Sequence, residues 1–187
     1  MIWDLPTSLE VAGREYDIRT DYRDILRIIC AYEDPDLENR EKVLVCLQVL
    51  YEDFEEMPKE DYEEALKKAT EFIDHGARQK KDANVRTMDW EQDADLLFPA
   101  VNASAGREVR ELDYLHWWTF LGFFMSIDRK STYATVLQLR TKKAKGKKLE
   151  KSEREFWNSN QDICKIRKKL SQEEIAERER LNALLNE

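Results

Sequence analysis

Few residues in this chain of 187 are suited to chemistry, and their spacing gives them little to do together. The two histidines, His75 and His116, stand beside no nucleophile motif such as G-x-S-x-G, whose strained turn presents an attacking serine. His116, between Leu115 and Trp117, suits a packed or hydrogen-bonded role, and His75 suits a helix C-terminus, where positive charge is favoured. Cys30, Cys46 and Cys164 are widely separated and lack the clustering of a zinc site. Cys30 and Cys46 lie among Ile, Leu and Val and read as small buried apolar residues. Asp89, Glu91, Asp93 and Asp95 alternate as in a calcium loop, but Ala94 and Ala100 stand where that loop needs glycine and glutamate. Acidic residues at a helix start, complementing its dipole, account for them better. There is no glycine-rich phosphate loop. The expectation is a protein without catalysis, metal or cofactor, one that works by binding partners.

Two features are candidates for contact. The first is the basic run from Arg140 to Lys151, with Lys142, Lys143, Lys145, Lys147 and Lys148 able to meet phosphates or an acidic protein surface. A net charge of −8 argues against coating nucleic acid with the whole surface, and no aromatic residue interleaves the lysines for base stacking. A protein contact, or the solvated end of a helix, is the better reading. The acidic band Asp53 to Glu64 offers a counterpart, within the molecule or between copies, so self-association belongs among the readings. The second feature is the aromatic string around His116. Trp117, Trp118, Phe120, Phe123 and Phe124 cannot share one direction, because successive helical residues are about 100° apart. Some face the core and some face a second surface. Trp117, Trp118, Phe120 and Phe124 are the partner-binding candidates.

The elements that must hold these residues are mostly helices. Only 5 glycines and 4 prolines interrupt a chain that is 37% charged and 42% hydrophobic. The start differs: Leu9 to Val11 and Tyr16 to Ile18 alternate around Ala12-Gly13, the pattern of a short β-hairpin that must pack Val11, Tyr16 and Ile18 on helices. Thr20 or Asp21 then caps a helix with Tyr22, Ile25, Leu26 and Ile29 on one face, a stripe that Tyr32 can extend. Asp36 caps a second helix with Val43, Leu44, Leu47, Leu50 and Tyr51. Pro58 opens a third, bearing Tyr62, Ala65, Leu66, Ala69, Phe72 and Ile73 and stopping at Gly76. The polar stretch 77–88 reads as a connector between a subdomain over 1–76 and another over 89–187. In the second subdomain Asp89 with Gln92 makes a capping box before a helix containing Pro99. Ser131 or Thr132 starts a helix running into the basic segment 140–151. Ser152 with Glu155, and Ser171 with Glu174, are further capping boxes. The fold class is mainly α: a multi-helix bundle with an N-terminal hairpin. The stretch Leu112 to Ile127 is too short, and with Asp113 and His116 too polar, to span a membrane, and no signal-peptide pattern opens the chain.

Four strings together carry a resemblance. The segment from Leu9 to Tyr22 resembles the hairpin-then-helix opening of siphophage tail assembly chaperones. Asp89-Trp90-Glu91-Gln92-Asp93, His116-Trp117-Trp118-Thr119-Phe120 and Lys145-Gly146-Lys147-Lys148-Leu149 resemble a family of phages and prophages of Gram-positive bacteria, over nearly the whole chain. The resemblance implies a gene between those of the tail tube and the tape measure. The implied activity is to chaperone the tape measure protein in the host cytoplasm until tail tube subunits replace it. A structural tail component and a nucleic-acid-binding accessory protein are the alternatives.

Overall fold

The computed structural model describes residues 4–75 and 86–185. Its first element is the expected hairpin, β1 (Ser8–Val11) paired antiparallel with β2 (Arg14–Asp17), with Leu9 opposite Tyr16. Ala12 and Gly13 both take positive φ, 49° and 77°, as a two-residue turn of the type matching strand twist requires. Val11, Tyr16 and Ile18 are buried.

Three helices follow. The Asp21 carboxylate accepts the Arg23 N–H and caps α1 (Tyr22–Tyr32), whose buried residues are Tyr22, Ile25 and Ile28. Leu26 and Ile29, expected on that face, are only partly buried against it. The cap of α2 (Asn39–Leu50) is Glu38 rather than Asp36. The Glu38 N–H donates to Glu41, while the Asp36 carboxylate accepts the N–H of Gln172 far along the chain. At the other end of α2 the Arg19 guanidinium donates to the carbonyls of Gln48, Val49 and Tyr51, groups that a helix end leaves without partners. Pro58 precedes a short 3-10 turn, Lys59–Asp61, which leads into α3 (Tyr62–Ile73). Ala65 and Ala69 let α3 lie close to its neighbours, and the buried Tyr51 hydroxyl donates to the Ala65 carbonyl at 2.8 Å. His75, with φ of 52°, takes the left-handed conformation that ends the helix. Gly76, the expected stop, and residues 77–85 of the expected connector lie outside the described residues.

The second half is built of α4 (Ala94–Ala105), α5 (Trp117–Met125), α6 (Thr132–Ala144), α7 (Lys151–Ser159), α8 (Gln161–Cys164) and α9 (Gln172–Leu185). Helix α4 continues through Pro99 and stops at Gly106, whose φ is 70°. The N-cap of α4 is Asp93 rather than Asp89, whose carboxylate accepts the N–H groups of Glu91 and Gln92 in the turn before the helix. Gln92 does not complete the box: its amide reaches the Lys165 carbonyl and the Arg167 N–H. Ser131 caps α6 and Ser171 with Glu174 caps α9, both as expected. For α7 the box is Glu150 with Glu153, two residues earlier than Ser152 with Glu155. Residues buried on either side of the 77–88 segment, from Val11 to Phe72 and from Leu97 to Tyr133, join one cluster. A smaller cluster holds Val136, Leu139, Trp157 and Cys164.

A buried ion pair ties the start of α4 to α6. Arg140 donates to both carboxylate oxygens of Asp93, at 2.6 and 2.8 Å, and to the carbonyls of Thr87, Ile163 and Cys164. Both side chains are buried. Arg140 therefore belongs to the interior and not to the exposed basic run, and Asp93 is a partner for arginine rather than a cation ligand.

Candidate functional site: an apolar groove beside α5

Helix α5 begins at His116, whose Nδ1 accepts the Trp118 N–H at 3.0 Å while Nε2 lies 3.0 Å from the Pro6 carbonyl. A ring that accepts at Nδ1 and donates at Nε2 is neutral, with its proton on Nε2. His116 is thus the hydrogen-bonded residue its apolar neighbours suggested, and it caps the helix that starts at Trp117.

The aromatic candidates divide by direction. Trp117 and Phe120 are 2% and 0% exposed and belong to the core, which corrects their assignment as contact residues. Phe120 stacks on Tyr22, with ring centroids 4.6 Å apart, and on Trp117. Both indole N–H groups are committed as well: Trp117 donates to the Ile73 carbonyl at 2.8 Å and Trp118 to the Phe72 carbonyl at 2.9 Å. These are last-turn carbonyls of α3, and that of Phe72 also accepts the His75 N–H at 3.1 Å. Trp118 is half-buried against Phe72 and His75. Phe124 is half-buried, its ring tilted against that of Trp90 with centroids 5.3 Å apart, and faces an open space.

That space is a groove of about 930 Å³. Ile29 and Tyr32 of α1, Val43 of α2, Leu66 of α3, and Phe124 and Met125 of α5 line it, and Thr70, Asp74 and His75 add polar groups. Met125 is 77% exposed and Tyr32 39%, so both stand at the rim. The Tyr32 phenol and the Cys46 thiol beside it are both pushed up by burial, so neither ionises near neutral pH. The groove can bind apolar side chains in number, and its open shape suits a helix face. Sequence reading missed Tyr32 and Met125 as rim residues because a rim exists only once α1 and α5 are side by side. The one available signal was that α5 is apolar on every face.

The basic run is not a uniform patch. Lys142 is ion-paired with Glu153, which raises the lysine's pKa and lowers the carboxylate's. The Lys143 ammonium lies 4.1 Å from the centre of the Trp157 ring. Lys145, Lys147 and Lys148 are exposed and, among the described residues, carry no ion pair. The same holds for Arg154, which the sequence did not single out. Also among the described residues, no group of three or more His, Cys, Asp or Glu is placed to hold a metal ion. No helix there is long and apolar enough to cross a membrane.

Comparison with curated proteins and with solved structures finds no match. A family model described as Bacteriophage Gp15 protein matches residues 1–181, almost the entire chain, hairpin, α5 and basic run included. The chain belongs to the Bacteriophage Gp15 protein family.

Proposed function

We propose that this phage protein serves tail morphogenesis without catalysing a reaction, as a chaperone whose groove beside α5 holds a helical segment of the tape measure protein. The observation that carries the reading is an open apolar groove of about 930 Å³ on a member of a phage family. A tape measure segment exposes amphipathic helices before the tube encloses it. An apolar groove accepts such a helix through residues spaced at i, i+3 and i+7. Phe124 and Met125 stand where those residues dock, with Tyr32 opposite. Trp117 lines the groove with Phe120 stacked behind it, and Trp118 holds α5 against the end of α3. Tail tube subunits, by covering the same client, release the chaperone.

Co-expression with the tape measure protein tests this. The wild type keeps the client soluble and co-purifies with it. Met125→Glu, at an exposed position, leaves the fold intact and abolishes co-purification. If the client is recovered equally well with Met125→Glu and Phe124→Ala, the groove is not where it binds. If wild type neither binds nor solubilises it, the chaperone reading fails.

A further inference from the structure

A second surface lies on the other side of the smaller cluster. Between the C-terminal end of α6 and the exposed face of α7 is a cleft of about 690 Å³, lined by Lys143, Lys147, Lys148, Arg154, Trp157 and Asn158 among others and, among the described residues, by no carboxylate. Glu150 and Glu153, the nearest acids in sequence, are turned to other work: they form the capping box of α7, and Glu153 also holds Lys142. Gly146, at φ of 67°, turns the chain sharply after α6 and sets Lys147 and Lys148 along one wall of the cleft, with Arg154 of α7 on the other. On a chain of net charge −8 this concentration of unpaired cations is a local inversion of the overall field.

We infer that this cleft is a docking site for a carboxylate-rich segment of a partner protein. Arg154 offers a planar fork matched to carboxylate, and Lys147 and Lys148 offer mobile point charges beside it. Three observations favour an acidic peptide over nucleic acid. The Trp157 face is covered by the Lys143 ammonium and cannot stack a base. The N-terminus of α7, where backbone N–H groups would receive a phosphate, is closed by its two glutamates. An extended polyanion running beyond the cleft would meet a surface of its own sign, whereas a short acidic stretch ends where the cations end. Lys142, counted with the other lysines from sequence, contributes nothing because Glu153 neutralises it. The site is separate from the groove beside α5 and does not depend on what fills that groove.

A fluorescein-labelled octaglutamate peptide is the probe, with single-stranded DNA of equal charge as the comparison, read by fluorescence anisotropy on the full chain. The peptide binds at low salt and weakens steeply as salt is raised. Lys147→Glu/Lys148→Glu lowers its affinity by roughly tenfold or more, the size expected when two exposed attractive pairs become repulsive. Arg129→Glu/Lys130→Glu, an exposed pair outside the cleft with the same change in net charge, lowers it far less. An absence of binding at low salt overturns the proposal, as does an equal loss in both double variants. DNA binding more tightly than the peptide would transfer the site to nucleic acid and overturn it too.

Discussion

The Arg140–Asp93 pair gives the sharpest test of how the second half is held together. Arg140 makes five hydrogen bonds from its guanidinium, two of them to Asp93 and three to backbone carbonyls on either side of it. Arg140→Met keeps most of the side-chain volume and removes every one of those donors. Asp93 is then left as a buried carboxylate whose remaining partner is the Asp89 N–H at 3.0 Å. Removing one member of a buried pair costs about 3–5 kcal/mol, because the other charge stays behind uncompensated. For a chain of this length about 1 kcal/mol moves Tm by roughly 2–4 °C, so a fall of roughly 6–20 °C is expected. Thermal unfolding followed by circular dichroism measures it, with a denaturant series for the free energy. Arg140→Met/Asp93→Asn removes the lone charge while the amide oxygen still accepts from Asp89, and it recovers more than half of the loss. A fall of less than about 2 °C in the single variant would refute the electrostatic reasoning. A double variant no more stable than the single one would also refute it, by placing the loss in the carbonyl contacts.

Three other outcomes follow from local geometry. Gly13→Ala costs about 1 kcal/mol in denaturant unfolding, from positive φ alone, since a Cβ there meets no atom within 4 Å; a neutral result would contradict the turn geometry. Asp21→Ala removes both the cap of α1 and the acceptor of the Leu115 N–H, and should cost about 1–3 kcal/mol, with Asp21→Asn costing less. The Glu108 carboxyl, gripped by Arg110 and assisted by Asn102, titrates at about 2 against an ordinary 4.5. A depressed folded pKa means that the stabilisation is complete above pH 4.5 and is lost as pH falls toward 2. Carboxyl NMR titration should show that value in the wild type and a return toward 4.5 in Arg110→Ala.

Much of the fold could be read from sequence because the signals were local. The hairpin needed only Ala12-Gly13 between alternating residues, and the caps at Asp21, Ser131 and Ser171 needed only a short polar side chain at a helix start. Where reading failed, a competing local choice had to be settled by tertiary contacts. Asp36 looks as good a cap as Glu38 until Gln172 claims its carboxylate. Ser152 with Glu155 looks as good a box as Glu150 with Glu153 until Lys142 fixes Glu153. Arg140 looks like the first member of a basic run until Asp93, 47 residues away, takes it into the interior. Charge in a sequence says nothing of burial when the compensating charge is distant.

The aromatic string shows why composition alone could not separate core from contact. Helix α3 ends at the Phe72 and Ile73 carbonyls, and α5 brings a donor to each from two consecutive indoles. Tryptophan suits that task because one side chain brings both a large apolar face and an N–H. The face of Trp117 then fills the core beside Phe120, and the face of Trp118 supports the strained turn at His75. With its first turn spent on joining α3, α5 has only its last turn free, where Phe124 and Met125 meet the groove. A residue can serve a partner only if the fold has no prior use for it, and on that criterion α5 becomes a contact element at its C-terminal end. On the proposed function, the anchored first turn fixes the direction of α5, and the ordering cost of binding falls on the exposed Met125 and on the client.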